Sequence, residues 1–407
     1  MVSIKSLLLL VFVLPLTSHS LASASSNSNR MPVRSVVIVG GTHGNEYTGV
    51  WCIKELEQPS VYKSISKRFP SLSISTLMGN PTAHMANKRF IDTDLNREFT
   101  AKKLQIAQEA LNHGSTDKVP VESLRALEIS QLLGPKSDPA TDVVVDLHST
   151  TTNMGMTLII PENDFLMAQA AAYVLHKCKE KPIRSIPNSG PTQISEETRI
   201  IMHSIPDRND RPNLSSVGKH GFTIEVGPVP QGIVRHDAVE KTKQAMEAFL
   251  EFLERHNADA TSGDPEAKGV LRQLQQWYPT GRIPCYRSAA ATKPTEMSGK
   301  IRWPCSDHNP NFPAYMVHKS VQDRDFQLIR TGDPLFVNME GDIIPYDGSH
   351  GDNVFLIFIN EGGYYYSSSG TGIGVAVYTE FDLQTADFVN VEDLCLVTSD
   401  TDDCSLE

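Results

Sequence analysis

Two apolar runs, Ser35-Val36-Val37-Ile38-Val39 and Val143-Val144-Val145-Asp146-Leu147-His148, each stop on side chains that bind metals. The first leads straight into Gly40-Gly41-Thr42-His43-Gly44-Asn45-Glu46, and the second ends on His148 itself. Segments this short and this apolar read as strands covered on both faces, as in the parallel sheet of an α/β protein. Open α/β sheets place their ligand sites at the carboxyl ends of such strands. Gly40, Gly41 and Gly44 allow the tight turn that His43 and Glu46 need in order to converge. Two imidazoles and one carboxylate, with one position open, form the ligand set of a catalytic zinc. Glu46 would also suit the positive end of a helix dipole. The second strand-end histidine favours the metal. In a regular strand Asp146 would share the face of His148 and support the site from behind or make a structural hydrogen bond.

The rest of the first half follows the same layered pattern. Strands are expected at 35–39, 72–78, 143–147, 157–160 and 222–226, and helices at 46–57, 100–111, 121–133, 164–177 and 237–256. The fold class is therefore α/β, a mostly parallel sheet sandwiched by helices. A polar seam at 257–268 precedes a stretch rich in Gly and Pro with apolar runs at 354–359 and 374–378. Residues 31–257 read as the metal-binding catalytic domain and 258–407 as a smaller β-rich C-terminal domain.

Residues 1–24 read as a signal peptide. Lys5 supplies the positive end, 7–16 the apolar stretch, and Ala22-Ser23-Ala24 the cleavage site. The stretch is shorter than the roughly 20 apolar residues of a membrane span, so a secreted or secretory-lumen protein with no membrane attachment after cleavage is expected, with an uncleaved anchor as the rival reading. Six cysteines in an oxidising route make some disulfides plausible. Cys285 with Cys305 and Cys395 with Cys404 are the pairs nearest in sequence, while Cys52 and Cys178 read as buried thiols. Asn213-Leu214-Ser215 is a glycosylation sequon. A net charge of -11 argues against nucleic acid as a partner. A homo-oligomer stays open.

Glu225 stands inside the apolar run Phe222-Thr223-Ile224-Glu225-Val226. A carboxylate buried there must be paired, protonated or functional. A general base that deprotonates water beside a metal accounts for it, and a buried ion pair is the alternative. Residues 87–97 gather Asn87, Lys88, Arg89, Asn96 and Arg97. Guanidinium and amide groups in one loop suit a carboxylate, or one Arg polarises a scissile carbonyl.

Together these motifs closely resemble the aspartoacylase family, which includes the aminoacylase-3 type enzymes and is related in fold to zinc carboxypeptidases. The resemblance rests on Gly41-Thr42-His43-Gly44-Asn45-Glu46, Asp94-Leu95-Asn96-Arg97, Asp146-Leu147-His148-Ser149-Thr150-Thr151 and Ile224-Glu225-Val226-Gly227-Pro228. It resumes at Gly332-Asp333-Pro334 and at Asn360-Glu361 with Tyr364-Tyr365-Tyr366. It implies one zinc ion per chain held by His43, Glu46 and His148, with Glu225 activating water. It implies that Arg89 polarises the amide carbonyl, that Asn96 and Arg97 grip the substrate carboxylate, and that Tyr364 reaches over from the C-terminal domain. The implied reaction is deacylation of small N-acyl amino acids. There are departures. Counted back from Glu225, Ser215 falls where aspartoacylase proper has the Arg that reads the aspartate side chain; Arg208 or Arg211 are the candidates to replace it. Ser149 stands where vertebrate members usually have Asn, the stretch 258–297 diverges, and familiar members lack a signal peptide. A secreted zinc carboxypeptidase acting on peptides, and a non-catalytic binding module on the same fold, are the rival readings.

Overall fold

The computed structural model describes residues 31–183, 197–205, 207–262, 269–292, 297–303, 313–365 and 372–389. The signal-peptide segment, Tyr366, Cys305, Cys395 and Cys404 lie outside them.

The catalytic half is built from strands β1 (Ser35–Gly40), β2 (Ser73–Met78), β3 (Val143–Ser149), β4 (Gly155–Pro161), β5 (Thr198–His203) and β6 (His220–Gly227). Between them run helices α1 (Tyr47–Leu56), α2 (Pro59–Arg68), α3 (Pro81–Met85), α4 (Ala101–Asn112), α5 (Val121–Leu132), α6 (Phe165–Glu180) and α7 (His236–Thr261). The second half adds α8 (Gly269–Trp277) and β7 (Arg282–Ser288), β8 (Lys300–Ile301), β9 (Met316–Val317), β10 (Leu328–Arg330), β11 (Pro334–Val337), β12 (Ile343–Pro345), β13 (Asn353–Ile357) and β14 (Ile373–Asp382). Every strand and helix expected from the first half of the sequence is present, within a few residues at its ends. The helix expected to stop at His256 runs five residues further, because Asn257 is buried and clamps Val33 through both its oxygen and its nitrogen. Helices α2 and α3 and strand β5 were not expected.

One sheet carries the order β10-β13-β14-β7-β5-β4-β6-β3-β1-β2, with β8 branching from β14. β2, β1, β3 and β6 are parallel, while β4 runs antiparallel to β6. The fold is thus a mixed, mostly parallel sheet between helices, of the zinc carboxypeptidase-like kind. The sheet does not stop at the polar seam: β7 pairs with β5, and β14 follows it. A separate small sheet, β12-β11-β9, lies in the second half.

The alternation of strand residues sets two faces. Val145, Leu147, Phe222 and Ile224 enter the main core against α6 and α7, including Tyr173, Phe249 and Phe252. Val144 faces the other way, into a smaller core with Leu95, Phe99 and Ile129. By the period of two, Asp146, His148, Thr223 and Glu225 share this second face. The chemistry therefore sits on the sheet face opposite α7, at the strand ends.

Among the described residues no helix is long and apolar enough to cross a membrane. Cys52, Cys178 and Cys285 are buried free thiols, while Cys305, the nearest cysteine in sequence to Cys285, lies outside the described residues.

Candidate active site

The turn after β1 begins with Gly41 at φ +71 and passes within contact of α3 at Gly44. A Cβ on Gly44 would lie 2.2 Å from backbone atoms of Ala83 and His84. That close approach turns His43 and Glu46 inward. Glu46 stands directly before α1, and His148 is the sixth residue of β3, so both elements start or end at the site. All three side chains are buried, and their candidate ligand atoms lie within 4.8 Å of one another.

The donors converge in a way that fits a metal. His43 Nδ1 lies 2.6 Å from Glu46 Oε1, and His148 Nδ1 lies 3.0 Å from Glu46 Oε2. The far ring nitrogens are held by carboxylates: His43 Nε2 is 3.0 Å from Asp94, and His148 Nε2 is 2.8 Å from Asp146. Asp146 accepts in turn from the Thr42 hydroxyl at 2.7 Å. A carboxylate on the outer nitrogen fixes the ring and leaves the inner nitrogen as a lone-pair donor, the usual support of a metal-bound histidine. Two imidazoles and a carboxylate so arranged suit zinc. The support expected of Asp146 is therefore visible; that of Asp94 was not foreseen.

Glu225 lies abreast of His148 in the parallel β3–β6 register. Burial pushes its carboxyl well above the usual carboxylate range, and the nearby Glu46 and Glu361 charges add to this against His148 and Arg89. A dication among the three ligands would oppose that shift. Arg89 is buried beside them. Its Nη1 donates to Glu46 Oε1 and its Nη2 to Asp94 Oδ2, each at 3.2 Å.

Asp94 caps a short turn by accepting from Asn96 N–H at 2.9 Å. The Asn96 side-chain Oδ1 accepts from the Leu214 N–H at 2.8 Å, and Arg97 donates to the Asn96 main-chain oxygen. Tyr364 is buried in the same region, its ring 5.8 Å from the Arg89 guanidinium. The structure thus brings His43, Glu46, His148, Glu225, Arg89, Asn96, Arg97 and Tyr364 to one place.

Two residues in the second half had been given no role in the site. Lys300, on β8, places its Nζ 4.5 Å from the Tyr364 ring, and burial with repulsion from Arg97 pushes its pKa down to about 7. Glu361 is buried and accepts from the Thr151 and Gly363 N–H groups, at 3.0 and 2.8 Å, and from the Thr150 hydroxyl. It ties the Tyr364 turn to the loop that follows His148. The sequence signal for Glu361 was an acid closing the apolar run at 354–359; Lys300 left none.

Beneath Thr223, two positions down the strand from Glu225, lies a cavity lined in part by Ile159, Thr223, Ser215, Asn213, Arg208 and Arg211. Arg208 donates to Gly218 O at 3.1 Å and Arg211 to Ile205 O at 2.7 Å. Asn213 Nδ2, the sequon nitrogen, donates to Ser215 Oγ at 2.6 Å.

Comparison with known proteins agrees with this geometry. Residues 32–253 match the model of the succinylglutamate desuccinylase/aspartoacylase catalytic domain, and 296–371 match the AstE/AspA barrel-sandwich hybrid domain. The "Probable aspartoacylase" of Nostoc sp. is 33% identical, over 82% of this chain and 93% of that protein. The human N-acyl-aromatic-L-amino acid amidohydrolase (carboxylate-forming) is 31% identical, over 83% and 88%. The crystal structure of murine aminoacylase 3 superposes with a TM-score of 0.64 at 27% identity, covering 86% of this chain and 97% of that one. The chain belongs to the succinylglutamate desuccinylase/aspartoacylase family.

Proposed function

We propose that the protein is a zinc-dependent deacylase that hydrolyses the amide bond of small N-acyl amino acids. The observation that carries this reading is Glu225 abreast of His148, a buried carboxylate beside a three-ligand cluster and without an ion pair of its own among the described residues. The relatives named for deacylation of N-acyl amino acids support it. His43, Glu46 and His148 would hold the metal, which when bound acidifies a water and polarises a carbonyl. Glu225 would take the proton from the attacking water and return it to the leaving amine nitrogen. Arg89, held by Asp94, would donate to the carbonyl oxygen as negative charge gathers there. Arg97, Asn96 and Lys300 would bind the carboxylate of the amino acid. The Tyr364 turn and Lys300, both from the second half, crowd the space over Arg89 and favour small substrates over peptides. Export is part of the proposal and rests on the N-terminal sequence alone.

Glu225→Gln is expected to abolish turnover while the zinc content stays at one per chain. Full activity in that variant overturns the mechanism. A chelator should remove activity and added zinc restore it.

The cavity beneath Thr223 would receive the side chain of the leaving amino acid. Ser215 brings no charge to it, and Arg208 and Arg211 donate to the Gly218 and Ile205 carbonyls, so N-acetylaspartate is not expected to be strongly preferred over N-acetyl aromatic and aliphatic amino acids. A marked aspartate preference in such a screen would instead assign the reading of that side chain to Arg208 or Arg211.

A further inference from the structure

Glu122 lies in the first turn of α5 and has no exposed surface, yet among the described residues none of its hydrogen-bond partners is a cation. Its carboxylate accepts from three successive main-chain N–H groups, those of Ile91 at 2.7 Å, Asp92 at 3.0 Å and Thr93 at 3.1 Å. The Asn80 amide adds a fourth donor at 3.1 Å. Consecutive N–H groups turned to one point form an anion-binding hollow, here filled by a side chain. The contact is reciprocal, since Asp92 accepts from the Val121 N–H at 2.9 Å and so caps the helix that carries Glu122. One turn further along α5, Arg125 donates to Met78 O and Gly79 O and pins the helix to the end of β2.

The residues at either end of the loop so held do the chemistry. Arg89 precedes it. Asp94 follows, and it orients both His43 and Arg89. Asn96 and Arg97 come directly after. Asn80 extends the grip, because its own N–H donates to Gly41 O at the start of the His43 turn. Four N–H donors compensate one buried charge, an arrangement that stays intact only if the loop keeps its shape.

We propose that Glu122 is a positioning residue for the hydrolysis, which fixes Arg89 and the Asp94–Arg97 turn through the loop between them. The proposal rests on the deacylase reading above. Glu122→Gln keeps the volume but turns an NH2 group toward N–H donors, so the loop must shift. A misplacement of about 1 Å can cost roughly 10²-fold in rate.

The test measures kcat, KM and zinc content of wild type, E122Q, E122D, R89A and the double variant R89A/E122Q. E122Q is expected to keep one zinc per chain, to lose kcat by roughly 10²-fold and to raise KM. In the double variant the kcat losses should combine to clearly less than their product, because part of what E122Q removes acts through Arg89. Amides of 91–97 should exchange hydrogen faster in E122Q, while those of β1 and β3 stay protected. E122D, which keeps the charge, should retain more activity than E122Q. Wild-type kinetics in E122Q, or losses that multiply in the double variant, overturn the proposal. Failure of both E122Q and E122D to fold also overturns it, in favour of a purely structural role. A wild-type protein without deacylase activity overturns the deacylase reading instead, and the exchange of 91–97 then decides whether Glu122 orders that loop.

Discussion

His43 and Glu46 were legible because three residues and a glycine turn bring them together locally, and His148 because a histidine ends an apolar run. Glu225 was legible for the opposite reason, as the one ion in a strand that should have none. Asp94 could not be assigned a role in the same way. Its carboxylate meets His43 from 51 positions away, a contact that no spacing rule predicts. Arg89 stood in a loop with two readings, a grip on a carboxylate or a donor to a carbonyl. Its buried place between Glu46 and Asp94 favours the second. Arg89→Ala is accordingly expected to lower kcat by roughly 10²–10³-fold, as loss of one oxyanion donor does. Steady-state kinetics decide this: a change confined to KM would return Arg89 to substrate binding.

At the scale of elements, the strands that carry the site were read correctly because both their faces are covered and their sequences are continuously apolar. Helix α2 was not read, since Ile65 is its only buried residue and serines, lysines and an arginine take six of its other nine positions. Strand β5 offers only Ile200, Ile201 and Met202 as an apolar run, too short to separate from a loop. The unit on which the site depends most is β1 with its turn and α1. Gly44 passes the backbone of α3 so closely that a methyl group has nowhere to go. Gly44→Ala should destabilise the protein by about 1–3 kcal/mol, as overpacking does, and lower zinc content with it. Thermal melting and metal analysis test this together. Unchanged zinc content at one per chain would show that the turn yields without moving His43 and Glu46.

The whole molecule adds what the two halves cannot supply apart. Lys300, Glu361 and Tyr364 reach the site only because β7 and β14 extend the catalytic sheet. Asp325 lies in this region and accepts from the Ile359 N–H at 2.9 Å, near the turn that carries Tyr364. Its other oxygen is buried without a partner among the described residues, and burial raises its pKa to about 7. The unfolded chain sheds that proton near pH 4. Between about pH 4 and 7 the folded state thus binds more protons than the unfolded one, so the contribution to stability falls as pH rises. Asp325→Asn should remove this dependence. Its melting temperature should gain on wild type more at pH 8 than at pH 5; an equal gain at both refutes the buried acid. The sequence by itself determined the layered α/β class and pointed to the His43, Glu46 and His148 cluster and to the buried Glu225 carboxylate. These follow from short-range rules: apolar periodicity, glycine turns and the cost of burying a lone charge. The tertiary structure decided the rest. Which carboxylate holds each imidazole, which loop orients Arg89 and what closes over it all depend on contacts between residues distant in the chain, and such contacts leave no period in the sequence.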